Sequence, residues 1–492
     1  MEFKCMKNDQ EKKNRFGFEA KTDIPSDVPL ADNPGHKLRT SNVIVDRKEL
    51  AKREQETLRN RPKSEELLEN SSGRAELVEH DGEVGIIRRG SMWPDPIDSP
   101  SKGKNGEIPP TFESMEKAPN LFTGPSYRNK AEKYRLDGHK MIHHLDRIQA
   151  WQNGEKFAPI HIDMGLTKYC NTACLYCYAV VQNMTKGTQI AEDAFLRYIE
   201  DCGKLGVRSI AYDGDGEPTL NPALYDATVL AKKLGVDTSM ATNGILLDMD
   251  RAHDLLRDMT WLRINLSAGT GEGFKRVHQS TPENFDLLIE KVRELVRIKK
   301  ENGYKCTIGL QMVLIPECYD QVILEAKLGA ELGVDYFVVK QCSDSEYKEI
   351  GVDYTSYLDI QPMLKEAETY SNDNYMVKVK WNKLMAADET EVYKDGFRKY
   401  DVCYGTSFLL QISGNGKIYP CGPFFNKERF YIGDIHEQSF FDIVMGDRYW
   451  QVHKDVVESV DVHKDCAIGC RQDYVNKFLW DLKNPPEHEN FI

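Results

Sequence analysis

The chain has 492 residues, enough to bury a large core and to hold more than one domain. Its 65 Lys and Arg against 78 Asp and Glu give a formal charge of 65 − 78 = −13, which argues against a nucleic-acid partner. No apolar run reaches the length of a membrane span, and the first residues carry no apolar signal core. Twelve cysteines in that setting suggest a reducing, cytoplasmic location, with no membrane partner.

Residues 1–120 are polar and rich in turn signals, including Pro25, Pro29, Pro34, Pro94, Pro96 and Pro100. Asp46 to Asn60 reads as a charged helix, and Ala75 to Arg89 as a hairpin turning at Asp81-Gly82. Two readings of this extension stay open: a poorly packed segment, or an arm that orders on substrate or partner recognition. From Tyr127 to Gln152, Ala131, Tyr134, Met141, Leu145 and Ile148 mark a helical apolar stripe.

Strand and helix signals then alternate. Strands are predicted at 159–165, 208–213, 237–241, 261–266, 305–313 and 335–340. Helices are predicted at Ala191–Lys204, Ala223–Leu234, Asp250–Arg257, Glu283–Lys300 and Asp320–Leu332. Six such units imply an α/β fold with a parallel sheet curved into a partial (β/α)6 barrel, although a full barrel or a doubly wound sheet shares the alternation. Functional residues are expected at the C-terminal ends of the strands.

The first strand leads into Cys170-Asn-Thr-Ala-Cys174-Leu-Tyr-Cys177, spaced C-x3-C-x2-C. Three thiolates on one loop can hold a metal centre and leave one position open. A zinc site closes with a fourth Cys or His, and none follows within ten residues. An odd triplet cannot pair internally as disulfides. An iron–sulfur cluster with an open iron is the favoured reading, with zinc and plain buried cysteines as alternatives.

The triplet, with an aromatic before its last cysteine, resembles the signature of the radical S-adenosylmethionine (SAM) superfamily. The resemblance implies that Cys170, Cys174 and Cys177 ligate a [4Fe-4S] cluster whose fourth iron chelates SAM, with Tyr176 near the adenine. It implies reductive cleavage of SAM to a 5′-deoxyadenosyl radical that abstracts a hydrogen atom from substrate. The second strand ends in Gly214-Asp215-Gly216-Glu217-Pro218, similar to the family's Gly-Gly-Glu-Pro motif but with Asp215 in place of one glycine. There the backbone would bind the methionyl amino group, with the charge of Glu217 near it. Thr242-Asn243-Gly244 resembles the family's Thr-Asn-Gly turn, and Ser267, with Asn265 beside it, stands where the family often holds the ribose. Each also reads as an ordinary strand-end turn. Gln311 and Val313 on the fifth strand are further candidates for a SAM contact.

The sixth strand runs into Gln341-Cys342-Ser343-Asp344. A thiol at the open end of that strand could return a hydrogen atom to a substrate radical, as cysteines do in radical SAM epimerases. Cys342 is therefore the catalytic candidate, with Cys318 behind it, and Lys340 or Asp344 could act as a base. The plain alternative for Cys342 is a small buried core residue, the reading given to Cys202 and Cys306.

Residues 346–400 read as a helical connector. Beyond it, Cys403, Cys421, Cys466 and Cys470 return, with a hairpin around Ser413-Gly-Asn-Gly416 between the first two. This resembles the SPASM and shorter twitch extensions, and four cysteines suffice for one auxiliary [4Fe-4S] cluster, with a four-cysteine zinc site as the rival. His463 reads as a surface residue. The expected domains are 1–120, a radical SAM core at 121–345, the connector at 346–400 and the cluster domain at 401–492.

The expected function is hydrogen abstraction from a peptide or sugar-like substrate, as an epimerase or as a dehydrogenase or crosslinking enzyme. A reductant such as flavodoxin or ferredoxin would supply electrons. The rivals are a non-catalytic iron–sulfur or zinc scaffold and a nucleic-acid-modifying radical SAM enzyme.

Overall fold

A computed structural model describes residues 75–80, 83–88, 138–177, 188–344, 350–381, 384, 398–466 and 470–491. The expected helix at 46–60 and most of the polar extension lie outside these residues. The expected hairpin strands are present: β1 (Ala75–His80) pairs antiparallel with β2 (Glu83–Arg88), His80 facing Glu83. It belongs to a different compact unit from the residues after Gly138.

In that second unit a ten-stranded sheet carries the fold. Its six predicted strands are β3 (His161–Met164), β4 (Ser209–Tyr212), β5 (Asp237–Thr242), β6 (Met259–Asn265), β7 (Thr307–Leu314) and β8 (Tyr336–Gln341). They lie side by side in chain order, all parallel, which makes the α/β partial barrel. One sheet face is apolar: Ile162, Ile210, Met240, Leu262, Leu310 and Phe337 are fully buried. The five predicted helices follow their strands, within two residues of the expected bounds at either end. Pro282–Asn302 is typical: Thr281 Oγ1 accepts from Asn284 N, Pro282 opens the first turn, and Gly303 closes it at φ +65°.

Two stretches differ from expectation. The connector at 346–400 contributes a seventh parallel strand, β9 (Met376–Val379), beside β8. The C-terminal hairpin, β10 (Leu409–Ile412) and β11 (Lys417–Tyr419), does not stand apart. Strand β10 pairs parallel with β3, Leu409 against His161 through Ile412 against Met164, and β12 (Gly433–Asp434) closes that edge. Strand β9 is short, with too few apolar residues for a period of two to stand out, whereas the hairpin is the one expected and only its pairing with β3, a long-range contact with no local signal, is new. A second apolar cluster, with Met141, Ile148, Phe157, Tyr404, Phe408 and Leu479, packs the stripe before β3 onto the C-terminal segment. Among the described residues no helix is long and apolar enough to cross a membrane.

Candidate active site

The parallel order brings the ends of β3, β4, β5, β6 and β8 to one edge, and the candidate residues meet there. The loop after β3 carries Cys170, Cys174 and Cys177, all partly exposed. Four elements hold this loop. The Tyr169 carbonyl accepts from Glu217 N (2.7 Å), and Asn243 Nδ2 donates to Asn171 Oδ1 (2.7 Å). Ala173 N and Leu175 N donate to the carbonyls of His278 and Val277 (3.2 and 3.0 Å), the last residues of the helix Gly271–His278. Thr172 Oγ1 lies 3.4 Å from Cys170 Sγ and 3.5 Å from Cys174 Sγ.

His278 is the residue the sequence reading missed. It is fully buried, its Nδ1 lies 3.2 Å from Cys174 Sγ, and its Nε2 donates to the Leu266 carbonyl. Phe274 stacks on the ring at 4.4 Å, and Tyr176 meets it edge-on at 5.7 Å. Burial lowers the pKa of His278 to about 4. Its helix has only eight residues and two large buried apolar side chains, Phe274 and Val277, too weak a stripe to find by periodicity.

The Gly214–Pro218 turn lies against the cysteine loop. Gly216 sits at φ +64°, and a Cβ there would lie 2.3 Å from the Thr167 carbonyl oxygen, so only glycine fits. Glu217 is buried, and protein donors occupy both of its oxygens. Thr219 N (3.1 Å), Thr219 Oγ1 (2.7 Å) and Thr242 Oγ1 (2.5 Å) reach Oε1, and Asn243 N (2.8 Å) reaches Oε2. Burial raises its pKa against these hydrogen bonds. The Glu217 side chain therefore ties the ends of β4 and β5 together, and Asn243 carries the link on to the cysteine loop. Asp215 points its carboxylate at the C-terminal hairpin: Oδ2 accepts from Ser413 Oγ (2.6 Å) and Gly414 N (3.0 Å), with Lys168 Nζ at 3.6 Å.

Ser267 sits at φ +48°, fully buried, its hydroxyl accepting from Val313 N (3.0 Å), so it joins the ends of β6 and β7. Asn265 is more open and accepts from Gln311 Nε2 at 2.9 Å. Cys342 is fully buried, its Sγ 4.0 Å from the Tyr176 carbonyl oxygen and 3.7 Å from that of Ser343. Cys318 is also buried, and its thiol donates to the Ile315 carbonyl at 3.2 Å. The Asp344 carboxylate accepts from Ile350, Gly351 and Val352 N, a structural clamp. Cys202 and Cys306 are core residues, and His463 is exposed beside Asp401.

The C-terminal cysteines gather as expected. Cys421 feels Cys470, Cys466 and Cys403 as neighbours, and with burial they push its thiol pKa well up. Cys403 is pushed up to about 11, and Asn476 Nδ2 donates to its sulfur at 3.2 Å. Around Cys170 the pattern repeats: burial and the Glu217 carboxylate push its thiol to about 12, and Cys174 is raised by burial, Cys170 and Cys177. Neighbouring thiols that raise one another's pKa ionise together around a positive centre, which is what an iron–sulfur cluster supplies. The donor chemistry of both sets, three thiols in one and four in the other, therefore suits such a cluster. Among the described residues no three His, Cys, Asp or Glu side chains are close enough for one metal ion.

Comparison with known proteins agrees with this geometry. Residues 164–326 match the model of the radical SAM superfamily, and residues 403–471 match the SPASM iron–sulfur cluster-binding domain. The chain belongs to the radical SAM superfamily. It is a radical SAM enzyme with a C-terminal SPASM domain. One relative is the tungsten-containing aldehyde ferredoxin oxidoreductase cofactor-modifying protein of Pyrococcus furiosus, 25% identical over 59% of this chain and 82% of that one. Another is Fe-coproporphyrin III synthase of Methanosarcina barkeri, 27% identical over 41% of this chain and about half (48%) of that protein. Streptococcus suis SuiB bound to S-adenosylmethionine has a similar fold, with TM-score 0.50, 17% identity and coverage of 69% of this chain and 79% of that one.

One feature of this radical SAM enzyme had no sequence signal of its own. Arg471, next to Cys470, reaches the inner face of β3 and donates to Asp163 through Nε (2.7 Å) and Nη2 (2.9 Å). His161 Nε2 lies 2.9 Å from the same carboxylate. Because it directly follows Cys470 and binds Asp163, Arg471 links the C-terminal cysteine segment to the inner sheet face.

Proposed function

We propose that the chain oxidises a substrate C–H bond on the inner face of its sheet, as a dehydrogenase or crosslinking enzyme rather than an epimerase. When bound, the clusters supply the electron that cleaves SAM to a 5′-deoxyadenosyl radical and the acceptor for the electron left on substrate. Cys170, Cys174 and Cys177 would hold the first cluster, and Cys403, Cys421, Cys466 and Cys470 the second. The backbone from Gly214 to Pro218 would receive the methionyl group of SAM, and Tyr176 would border its adenine. Glu217 and Asn243 keep that backbone and the cysteine loop in register. One 25% identical relative is named as a cofactor-modifying protein, which supports adding a cofactor precursor to the peptide and sugar-like substrates expected from sequence.

The observation that carries the choice is Arg471. It joins the four-thiol site to Asp163 on the inner face, so an electron acceptor would lie directly behind the substrate. The donor that an epimerase needs is less well placed, because the Cys342 thiol is wholly buried beside the cysteine loop. The test is turnover in deuterium oxide with wild type and Cys342→Ala. Our reading expects product from both without solvent deuterium at carbon. Deuterated product from wild type and none from the variant would establish the epimerase instead. A second measurement, 5′-deoxyadenosine formation by Cys403→Ala/Cys421→Ala, should show SAM cleavage retained.

A further inference from the structure

The inner sheet face carries a second arginine besides Arg471. Strand register sets Arg263 beside Gly309 and Asn265 beside Gln311, on one face of two neighbouring strands, and Asp213 directly follows β4, two strands along. The two arginines are partnered differently. Arg471 makes a two-point pair with Asp163. Arg263 reaches Asp213 only at 3.5 Å through one nitrogen, and its Nε is buried with no hydrogen-bond partner. Close by, Gln311 is 2% exposed, and its Oε1 is likewise buried and unpartnered.

A buried polar atom without a partner calls for an explanation, and on the face of a substrate chamber a ligand is one. A guanidinium fork matches a carboxylate in two-point geometry, and an open amide oxygen asks for an N–H. A carboxylate beside an N–H meets both needs at once. Asp213 is a poor permanent partner, since burial and the nearby Asp163 push its pKa up. The indole of Trp261 lies 5.1 Å from the Arg263 guanidinium and limits where that fork can turn.

We propose that Arg263 and Gln311, with Asn265 positioning the amide, form a subsite for an amino-acid-like group of the substrate, a carboxylate flanked by an N–H. This rests on the reading of the inner face as the substrate chamber. The same chemistry exists on SAM itself, in its methionyl end, so the test separates the two sources.

The experiment uses enzyme with both clusters reconstituted anaerobically, saturated with SAM and without reductant. The probes, added by calorimetric titration, are N-acetyl-L-alanine and its neutral amide. Wild type should bind the acid at least 10-fold tighter than the amide. Arg263→Gln should abolish that preference and leave SAM affinity within twofold. Asp213→Asn, which removes the competing carboxylate, should bind the acid several-fold tighter, a gain that misfolding cannot mimic. If Arg263→Gln weakens SAM 10-fold and the acid binds only when SAM is absent, the arginine serves the methionyl carboxylate and the proposal falls. Equal binding of acid and amide, or no binding of either, also overturns it. Failure of the wider reading appears separately, as loaded wild type that does not bind SAM.

Discussion

Asp215 accepts a hydrogen bond from Ser413, 198 residues later, at 2.6 Å. The first residue sits in the Gly214–Pro218 turn, and the second opens the hairpin turn of the SPASM domain. Gly414 fits because a Cβ there would lie 2.4 Å from the Thr167 carbonyl oxygen, and Lys168 completes a buried ion pair. The residue that departs from the family's Gly-Gly form is thus the one that fastens the two cluster-bearing regions together.

Breaking this fastening should cost stability in a graded way. Ser413→Ala removes one hydrogen bond to a charged group and should cost about 1.5–3 kcal/mol. Asp215→Ala leaves Lys168 buried without its counter-charge and should cost about 3–5 kcal/mol. Anaerobic urea unfolding measures both. Equal losses, or a loss below about 0.5 kcal/mol for Asp215→Ala, would mean that the pair is not the fastening.

Asn476 tests the auxiliary site. Its Nδ2 donates to Cys403 Sγ, while its Oδ1 accepts from Tyr404 N and Gly405 N, both at 2.7 Å. Asn476→Asp keeps the acceptor but loses the donor to sulfur and adds negative charge. Loss of such an outer partner typically weakens metal binding about 10–100-fold. Iron should therefore leave the variant faster under a chelator, about half of the total being affected. Wild-type retention would make Asn476 a packing residue.

Glu325, on the helix Val322–Leu332, has a wholly buried carboxyl with the Ala268 backbone as its polar neighbour and, among the described residues, no counter-charge beside it. Burial pushes its pKa well above the ordinary value. In the folded state it keeps its proton at a pH where the unfolded chain has lost it. The stability it allows is therefore full below about pH 4.3 and declines as pH rises toward the raised folded value. Glu325→Gln removes that slope. At pH 8 the variant should be more stable than wild type by roughly 1–3 kcal/mol, the gap closing toward pH 5. Parallel pH profiles of wild type and variant would contradict this.

Much of this was legible in the chain, because long apolar periods and clustered cysteines are local signals. The six core strands followed from apolar patterning, and the grouping of the cysteines from their spacing, while the roles of both sets rest on the family resemblance. The side-chain roles of Glu217, Asn243 and Ser267 were not legible. A turn motif says which residues stand at a strand end, but not whether their polar atoms face a ligand or a neighbouring strand. Asp163, Arg263, Arg471 and His278 were missed for a related reason. Each is a single polar residue whose partner lies on another strand, helix or segment, and only the sheet order brings them together.

The most direct test of the central claim is iron and sulfide per chain after anaerobic reconstitution, with 5′-deoxyadenosine formation from SAM under dithionite on the same sample. Wild type should hold about eight irons and cleave SAM. The Cys170/Cys174/Cys177→Ala variant should keep about four and lose cleavage. Wild type with both clusters loaded and no SAM cleavage would contradict the account and leave an iron–sulfur scaffold in its place.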